Sequence, residues 1–249
     1  MQKDDDMKNK ISIMGIDVDL VTVSSLSKSM NEYLTNDYLN IIYFVTAKTI
    51  ESVIHDEEYR NSIASSDLIL PAQELLLDVT NPNKSENIDY VSDYDRLQLC
   101  FPSLDEEHAN VFVVSQEVEP IERYLNYRKR SKKFNIVGRY TGDIIENEEQ
   151  VINEINSSAP DLLIFAMDSP MQEIWISKNS SKLNAKLCLA LAGARSTIFK
   201  QYVETPKIIK RIGAERLYHW FKCKNSASQF RQKRIFKRNL ENYTSNTLR

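Results

Sequence analysis

The stretch from Ser157 to Ile176 constrains this chain more than any other. Ala159-Pro160-Asp161 breaks the preceding helix, and Leu162 to Met167 is an unbroken apolar run. Such a run, without polar alternation, reads as a strand covered on both faces. Asp168-Ser169-Pro170 stops it. Ser169 stands where it can N-cap a helix whose first turn holds Pro170, Gln172 and Glu173. A buried strand that passes through a short polar loop into a helix start is a β-α unit. In open parallel sheets the carboxyl ends of such strands receive anionic ligands. An ordinary β-α connection without a ligand fits the same pattern.

The pattern recurs along the chain. Strands are expected at 40–46, 67–71, 110–114, 133–138 and 185–191, most of them apolar and several rich in β-branched residues. Helices are expected at 25–34 (capped by Ser24 or Ser25), 47–55, 57–65, 72–77, 93–101, 118–129, 146–157 and from the Ser169 loop to Lys182. Residues 11–20 read as a hairpin or strand around Gly15, and Trp175 and Trp220 as core residues. Strands and helices alternating at this spacing predict an α/β, Rossmann-like parallel sheet with helices on both faces. A basic helical C-terminal appendage follows a boundary at Thr205-Pro206. The expected division is an α/β domain over 11–205 and the appendage over 206–249.

Charge sets the appendage apart. Between Lys207 and Arg238 eleven Lys and Arg face one acid, Glu215, a net +10; the chain totals -3, which leaves -13 for the rest. A basic tail on an acidic body predicts an anionic partner: a phosphorylated ligand, an acidic membrane or nucleic acid. The acidic body and the lack of an aromatic-basic module argue against nucleic acid. The chain has no apolar run of membrane-spanning length, and its charged first ten residues contain no signal segment, so a cytoplasmic location is expected. Cys100, Cys188 and Cys223 are too scattered for a disulfide frame, and His55, His108 and His219 show no ligand spacing. No metal centre and no cofactor is expected. Five glycines leave no dinucleotide fingerprint and no phosphate-binding loop, and there is no serine-hydrolase elbow.

An ordered set of segments resembles the WecG/TagA/CpsF glycosyltransferases. Ile155 to Leu163 followed by Ser169-Pro170-Met171-Gln172-Glu173 resembles that family's signature. Val45-Thr46-Ala47 resembles its threonine loop, and Asp67-Leu68-Ile69-Leu70-Pro71 its strand ending in Pro-Asp-Gly. Val91-Ser92-Asp93-Tyr94-Asp95 falls at its Gly-x-Asp loop. Val137 to Gly142 resembles its turn with paired glycines, and Pro206 to Phe221 its C-terminal segment. The resemblance runs over roughly residues 11–240. It implies a Rossmann-like fold and metal-independent, inverting transfer of an N-acetylmannosamine-type sugar from a UDP donor to a polyprenyl-diphosphate-linked acceptor. Polysaccharide synthesis at the inner membrane face is the implied setting, with the basic appendage on an anionic membrane surface. It leaves a homo-oligomer open.

Site residues follow from the resemblance. Thr46 and Glu74 are the candidate catalytic residues, Glu74 as a substitute base. Asp95, Tyr140, Gly142, Ser169, Gln172, Glu173, Arg195, Arg211 and Arg216 are candidates for substrate binding. Each has a plainer reading: Thr46 as a helix cap, Gln172 and Glu173 as loop supports, Glu74 as a solvated helix residue, the arginines as surface charge. The departures from the family pattern are specific. Ala72-Gln73 stands where the family has its catalytic Asp-Gly, which removes the presumed general base. Lys48 replaces Asn after the threonine loop, Ala166 and Asp168 replace glycines before Ser-Pro, and Ser115-Gln116 replaces Gly-Gly. Only Gly193 remains of a glycine-rich stretch, and Glu204 replaces Arg. Two functions stay open: a divergent transferase with a relocated base such as Glu74 or Asp168, or an inactive relative that binds a nucleotide sugar, a lipid head or a partner enzyme.

Overall fold

The computed structural model describes residues 9–80, 109–116, 121, 134–191 and 226–247. The chain enters through a hairpin of β1 (Asn9–Ile13) and β2 (Ile16–Leu20). Met14 and Gly15 form its two-residue turn, with φ of 50° and 83°. Two positive φ values match the turn to the twist of the strands, and glycine adopts the second without strain. Then come α1 (Val23–Thr35), β3 (Asn40–Val45), α2 (Ala47–Ser52), α3 (Glu57–Ala64), β4 (Leu68–Pro71), α4 (Glu74–Thr80) and β5 (Ala109–Ser115). β6 (Phe134–Tyr140), α5 (Glu148–Ser158), β7 (Leu162–Ala166), α6 (Met171–Asn179), β8 (Leu187–Ala190) and α7 (Ser226–Thr247) complete the described elements.

β3 to β8 form one sheet in the order β4-β3-β8-β7-β5-β6, parallel at every pairing. This is the Rossmann-like α/β sheet that the alternation of elements predicts. The apolar runs behave as double-sided strands: β3, β4, β7 and β8 are buried at every position. One face packs Ile42, Phe44, Leu70, Val113 and Ile164 under Leu26 and Met30 of α1. The other packs Tyr43, Val45, Phe112, Phe165 and Met167 under the hairpin and under Ile50, Tyr59, Val151, Trp175 and Phe236 of the helices. Burial of this many aliphatic side chains, each stabilising by about 1.5–3 kcal/mol, is the main force holding the sheet.

Two aspartates fix the register at the amino ends of the strands. Asp67, just before β4, accepts the Ile41 N–H of β3 at 2.8 Å; Asp161, just before β7, accepts the Asn110 N–H of β5 at 3.0 Å. Each carboxylate satisfies a backbone donor that the ladder leaves open. The free edge of β4 is covered in the same way, for Asp19 of β2 accepts the Ile69 N–H at 2.8 Å.

Several boundaries differ from expectation for local reasons. Thr22, not Ser24 or Ser25, caps α1: it exchanges hydrogen bonds with Ser25 in a capping box. β6 runs on through Arg139 and Tyr140, which sequence placed in a loop. Lys182 falls in a short 3-10 turn (Ser180–Lys182) after α6 rather than in the helix itself. α5 ends at Ala159, whose φ of 39° is the left-handed C-cap, ahead of Pro160. Cys188 is a buried free thiol, and Trp175 is buried, as expected of a core residue. The expected helices at 93–101 and 118–129, together with Trp220, Cys100 and Cys223, lie outside the described residues, save for Ile121.

α7 lies on the body. Phe236 enters the core, Lys233 Nζ meets Asp78 of α4 at 2.7 Å, and Asn239 Nδ2 donates to Glu51 of α2 at 2.7 Å.

Candidate functional site

The sheet reverses its winding between β5 and β7: the chain continues from β5 outward to β6, but from β7 to β8 on the other side. The carboxyl ends of strands at such a point form the crevice where α/β sheets hold ligands. Here the crevice floor is tied shut by a side chain. Ser115, at the end of β5 and fully buried, donates its hydroxyl to the Ala166 carbonyl at the end of β7, at 3.1 Å.

Thr46 follows β3 and begins α2. Its hydroxyl accepts the Thr49 N–H at 3.1 Å, while its own N–H donates to the Thr49 hydroxyl at 3.2 Å. The residue is buried and the pair is a reciprocal capping box. The next donor, Ala47 N–H, is taken by the Gln73 side-chain carbonyl at 3.1 Å. Ala72 donates its N–H to the Val45 carbonyl at 2.7 Å and packs its methyl into the apolar layer under α1. The position at which the resemblance would place an acid is therefore an apolar one here. Glu74 opens α4, and its side chain lies outside the described residues.

The loop after β7 is folded inward. Gln172 is fully buried, and its side-chain oxygen accepts the Met167 N–H at 2.9 Å. Its backbone N–H donates to the Asp168 carbonyl. The sequence places Ser169 as the helix N-cap, but the structure assigns Pro170 to that position, without a side-chain cap, after a cis Ser169–Pro170 bond. The Ser169 hydroxyl is committed elsewhere: it donates to Glu173 Oε1 at 2.9 Å, one turn ahead. Asp168 and Ser169 face solvent, whereas Glu173 is 3 % exposed.

Two tyrosines complete the cluster. Tyr43 of β3 donates its hydroxyl to the Glu173 backbone carbonyl at 3.2 Å. Tyr59 of α3 brings its hydroxyl between Thr49 and Ser169. Both hydroxyls oppose the rise of the Tyr59 pKa, although neither stands in full hydrogen-bond geometry to it. Burial and the neighbouring Glu173 push both phenols well above their ordinary value, so both stay neutral. Burial also raises the Glu173 carboxyl from 4.5 to about 7, against the opposing hydrogen bonds from its own backbone and Ser169. Glu173 Oε2 and the Tyr59 hydroxyl have no partner among the described residues.

The structure thus gathers two hydrogen-bonded pairs, Thr46 with Thr49 and Ser169 with Glu173, on either side of the Tyr59 hydroxyl, with Gln172 fixing the loop. Tyr140 stands apart, at the end of β6 with β5 between it and β7. Its ring is buried and its hydroxyl donates to the Asp143 carbonyl at 3.2 Å. A Cβ at Gly142 would lie 2.5 Å from that hydroxyl oxygen, so the glycine makes room for the ring. Asp95, Arg195, Arg211 and Arg216 lie outside the described residues. Thr49, Tyr43 and Tyr59 were not singled out from sequence, and Gln73 was noted there only as the replacement for a family glycine. Thr49 alone left a local signal there, as the partner three residues after a capping threonine.

Residues 11–226 match the model of the glycosyl transferase WecG/TagA/CpsF family. The N-acetylglucosaminyldiphosphoundecaprenol N-acetyl-beta-D-mannosaminyltransferases of Staphylococcus aureus strains NCTC 8325 / PS 47 and COL are each 20% identical over 212 residues, 84% of this chain and 83% of the relative. A match that takes in the hairpin, the whole parallel sheet and the Ser-Pro-Met-Gln-Glu loop leaves one assignment: this chain belongs to the WecG/TagA/CpsF family of glycosyl transferases.

Proposed function

We propose that this protein transfers an N-acetylmannosamine-type sugar from a UDP donor to a polyprenyl-diphosphate-linked acceptor, working peripherally at the inner face of the membrane in cell-surface polysaccharide synthesis. The observation that carries the reading is the pair of polar clusters, Thr46 with Thr49 and Ser169 with Glu173, at the carboxyl ends of β3 and β7, within a family match that spans the sheet. The curated relatives, by name, move the same sugar onto a lipid diphosphate. The basic segment from Lys207 to Arg238 suits a diphosphate and an anionic surface alike. Among the described residues no helix is long and apolar enough to cross a membrane. Arg195, Arg211 and Arg216 are the candidate phosphate ligands of this reading, and 206–249 its membrane-facing appendage.

A second reading rests on Ala72 and Gln73. An apolar methyl occupies the acid's position, and the Gln73 amide closes the donor beside Thr46. Both features suit a relative that binds nucleotide sugar without turning it over. Calorimetry with UDP, followed by UDP release from UDP-N-acetylmannosamine with a short-chain lipid-diphosphate N-acetylglucosamine, separates the two. Binding with turnover is expected; binding without turnover selects the second reading, and no binding at millimolar UDP overturns both.

A further inference from the structure

A transferase of this kind must remove a proton from the acceptor hydroxyl, and Ala72 cannot do it. Among the described residues one exposed hydroxyl rests on a carboxyl buried to 3 % exposure: Ser169 Oγ on Glu173 Oε1, at 2.9 Å. Resting on the transferase reading above, we propose that Ser169 and Glu173 together replace the missing base, with Ser169 touching the acceptor hydroxyl and Glu173 taking the proton through it.

The step balances without a further reactant. The acceptor oxygen bonds to the sugar anomeric carbon as the bond from that carbon to the UDP oxygen breaks, and UDP leaves with the electron pair. The acceptor proton passes to Ser169 Oγ while the Ser169 proton passes to Glu173 Oε1. Solvent reclaims the proton between turnovers. Ser169 is the catalytic residue of the pair, and Glu173 the positioning and proton-holding one.

Three features of the surroundings suit this role. The second carboxyl oxygen, Oε2, is unpartnered among the described residues and buried, so solvation does not hold the charge in place. The groups facing the carboxyl are Tyr43 from β3, Tyr59 from α3, Ser169 from the loop and Gln172 from its own helix. Asp56 and Cys188 act on those tyrosines in turn. Burial leaves Glu173 titrating near 7, where a base is half available and still strong enough to take a proton.

The test uses the full chain, with the substrates named above and UDP binding measured separately. Wild-type kcat/KM is expected to rise tenfold per pH unit below about 7 and to level above it. Ser169→Ala, a surface change that leaves the core intact, should lower kcat about 10²-fold or more with UDP affinity held within twofold. Glu173→Gln should do the same and erase the inflection, and Glu173→Asp should restore part of the rate with a displaced inflection. Asp168→Asn should keep the inflection. If Ser169→Ala and Glu173→Gln retain the inflection and kcat within twofold, or if Asp168→Asn erases the inflection, the pair is not the base. UDP binding with no turnover by the wild type also overturns the pair, while the binding-only reading stands. Absence of UDP binding overturns the functional reading and the pair together.

Discussion

The Gln73 side-chain oxygen accepts the Ala47 N–H at 3.1 Å, so the segment after β4 reaches across to the first donor of α2. Ala72, its neighbour, holds the Val45 carbonyl with its own N–H at 2.7 Å and buries its methyl. Together they lock the ends of β3 and β4 at the position where the resemblance would place Asp-Gly. Replacing Gln73 by glycine removes that tie and leaves the backbone donor open. The expected loss is about 1 kcal/mol in urea denaturation, the net worth of one such hydrogen bond.

Restoring the acid at position 72 is expected to cost more. The methyl is 1 % exposed in an apolar layer that includes Leu26, Phe44 and Leu70. A carboxyl there has no polar environment to receive it, and burial of an unpaired polar group costs roughly 1–3 kcal/mol in protein variants. Ala72→Asp should therefore melt several degrees below the wild type, with the deficit growing as pH rises and the carboxyl must ionise. A variant as stable as the wild type at pH 8 would mean that the side chain finds solvent, and that the pocket is open at this point.

The Glu173 carboxyl makes folding pH-dependent. Its folded value of about 7 lies above the ordinary 4.5, so the native state holds its proton more tightly than the unfolded chain. The group's contribution is fully present below about 4.5, falls as pH rises through 7, and is then constant. The linked loss is on the order of 3 kcal/mol. Glu173→Gln keeps the shape and cannot ionise, so its unfolding free energy should vary less between pH 5 and 8. Parallel profiles for the two proteins from urea titrations across that range would show that Glu173 is not buried as described.

The sheet was legible in the sequence because its strands are buried on both faces. Runs such as Asn40-Ile-Ile-Tyr-Phe-Val45 and Leu162-Leu-Ile-Phe-Ala166 have no alternation to confuse with a helix face. The loop after β7 was legible as a site and misread in detail. Ser-Pro before a helix suggests a capping serine, yet the Glu173 carboxyl four residues on competes for the same hydroxyl and holds it. Gln172, read from sequence as either a ligand contact or a loop support, turns its side chain to the Met167 N–H. Tyr43 and Tyr59 had no local signature, because their roles depend on α6 settling over β3 and α3 from more than a hundred residues away.

Gly138 illustrates a constraint that lies between those extremes. It sits in β6 beside the register shift at Val111 and Phe112 of β5, and a Cβ there would collide with the Phe112 ring. Phe112 is 1 % exposed and has no room to withdraw. Gly138→Ala is expected to destabilise by about 1–3 kcal/mol, the range for overpacking a filled core. Adding Phe112→Leu to it should recover part of the loss, since the collision is with the ring; no recovery in the double variant would place the strain in the backbone instead.

α7 separates anchoring from charge. Phe236 is buried in the core and Lys233 and Asn239 reach Asp78 and Glu51, whereas Arg231, Arg234 and Arg238 are exposed. Spacings of three, four and seven residues set these arginines along one helix face, with the exposed Ile235 beside them. If this face meets an anionic bilayer, each arginine contributes about 1 kcal/mol at the surface. Changing all three to alanine should then weaken co-sedimentation with phosphatidylglycerol-containing vesicles about 10²-fold, leave binding to neutral vesicles as it was, and keep the melting temperature within a degree or two. Phe236→Ala should behave in the opposite way. It forfeits about 3 kcal/mol of packing while the arginines remain. Vesicle binding that survives the triple alanine change would move the membrane contact off this helix.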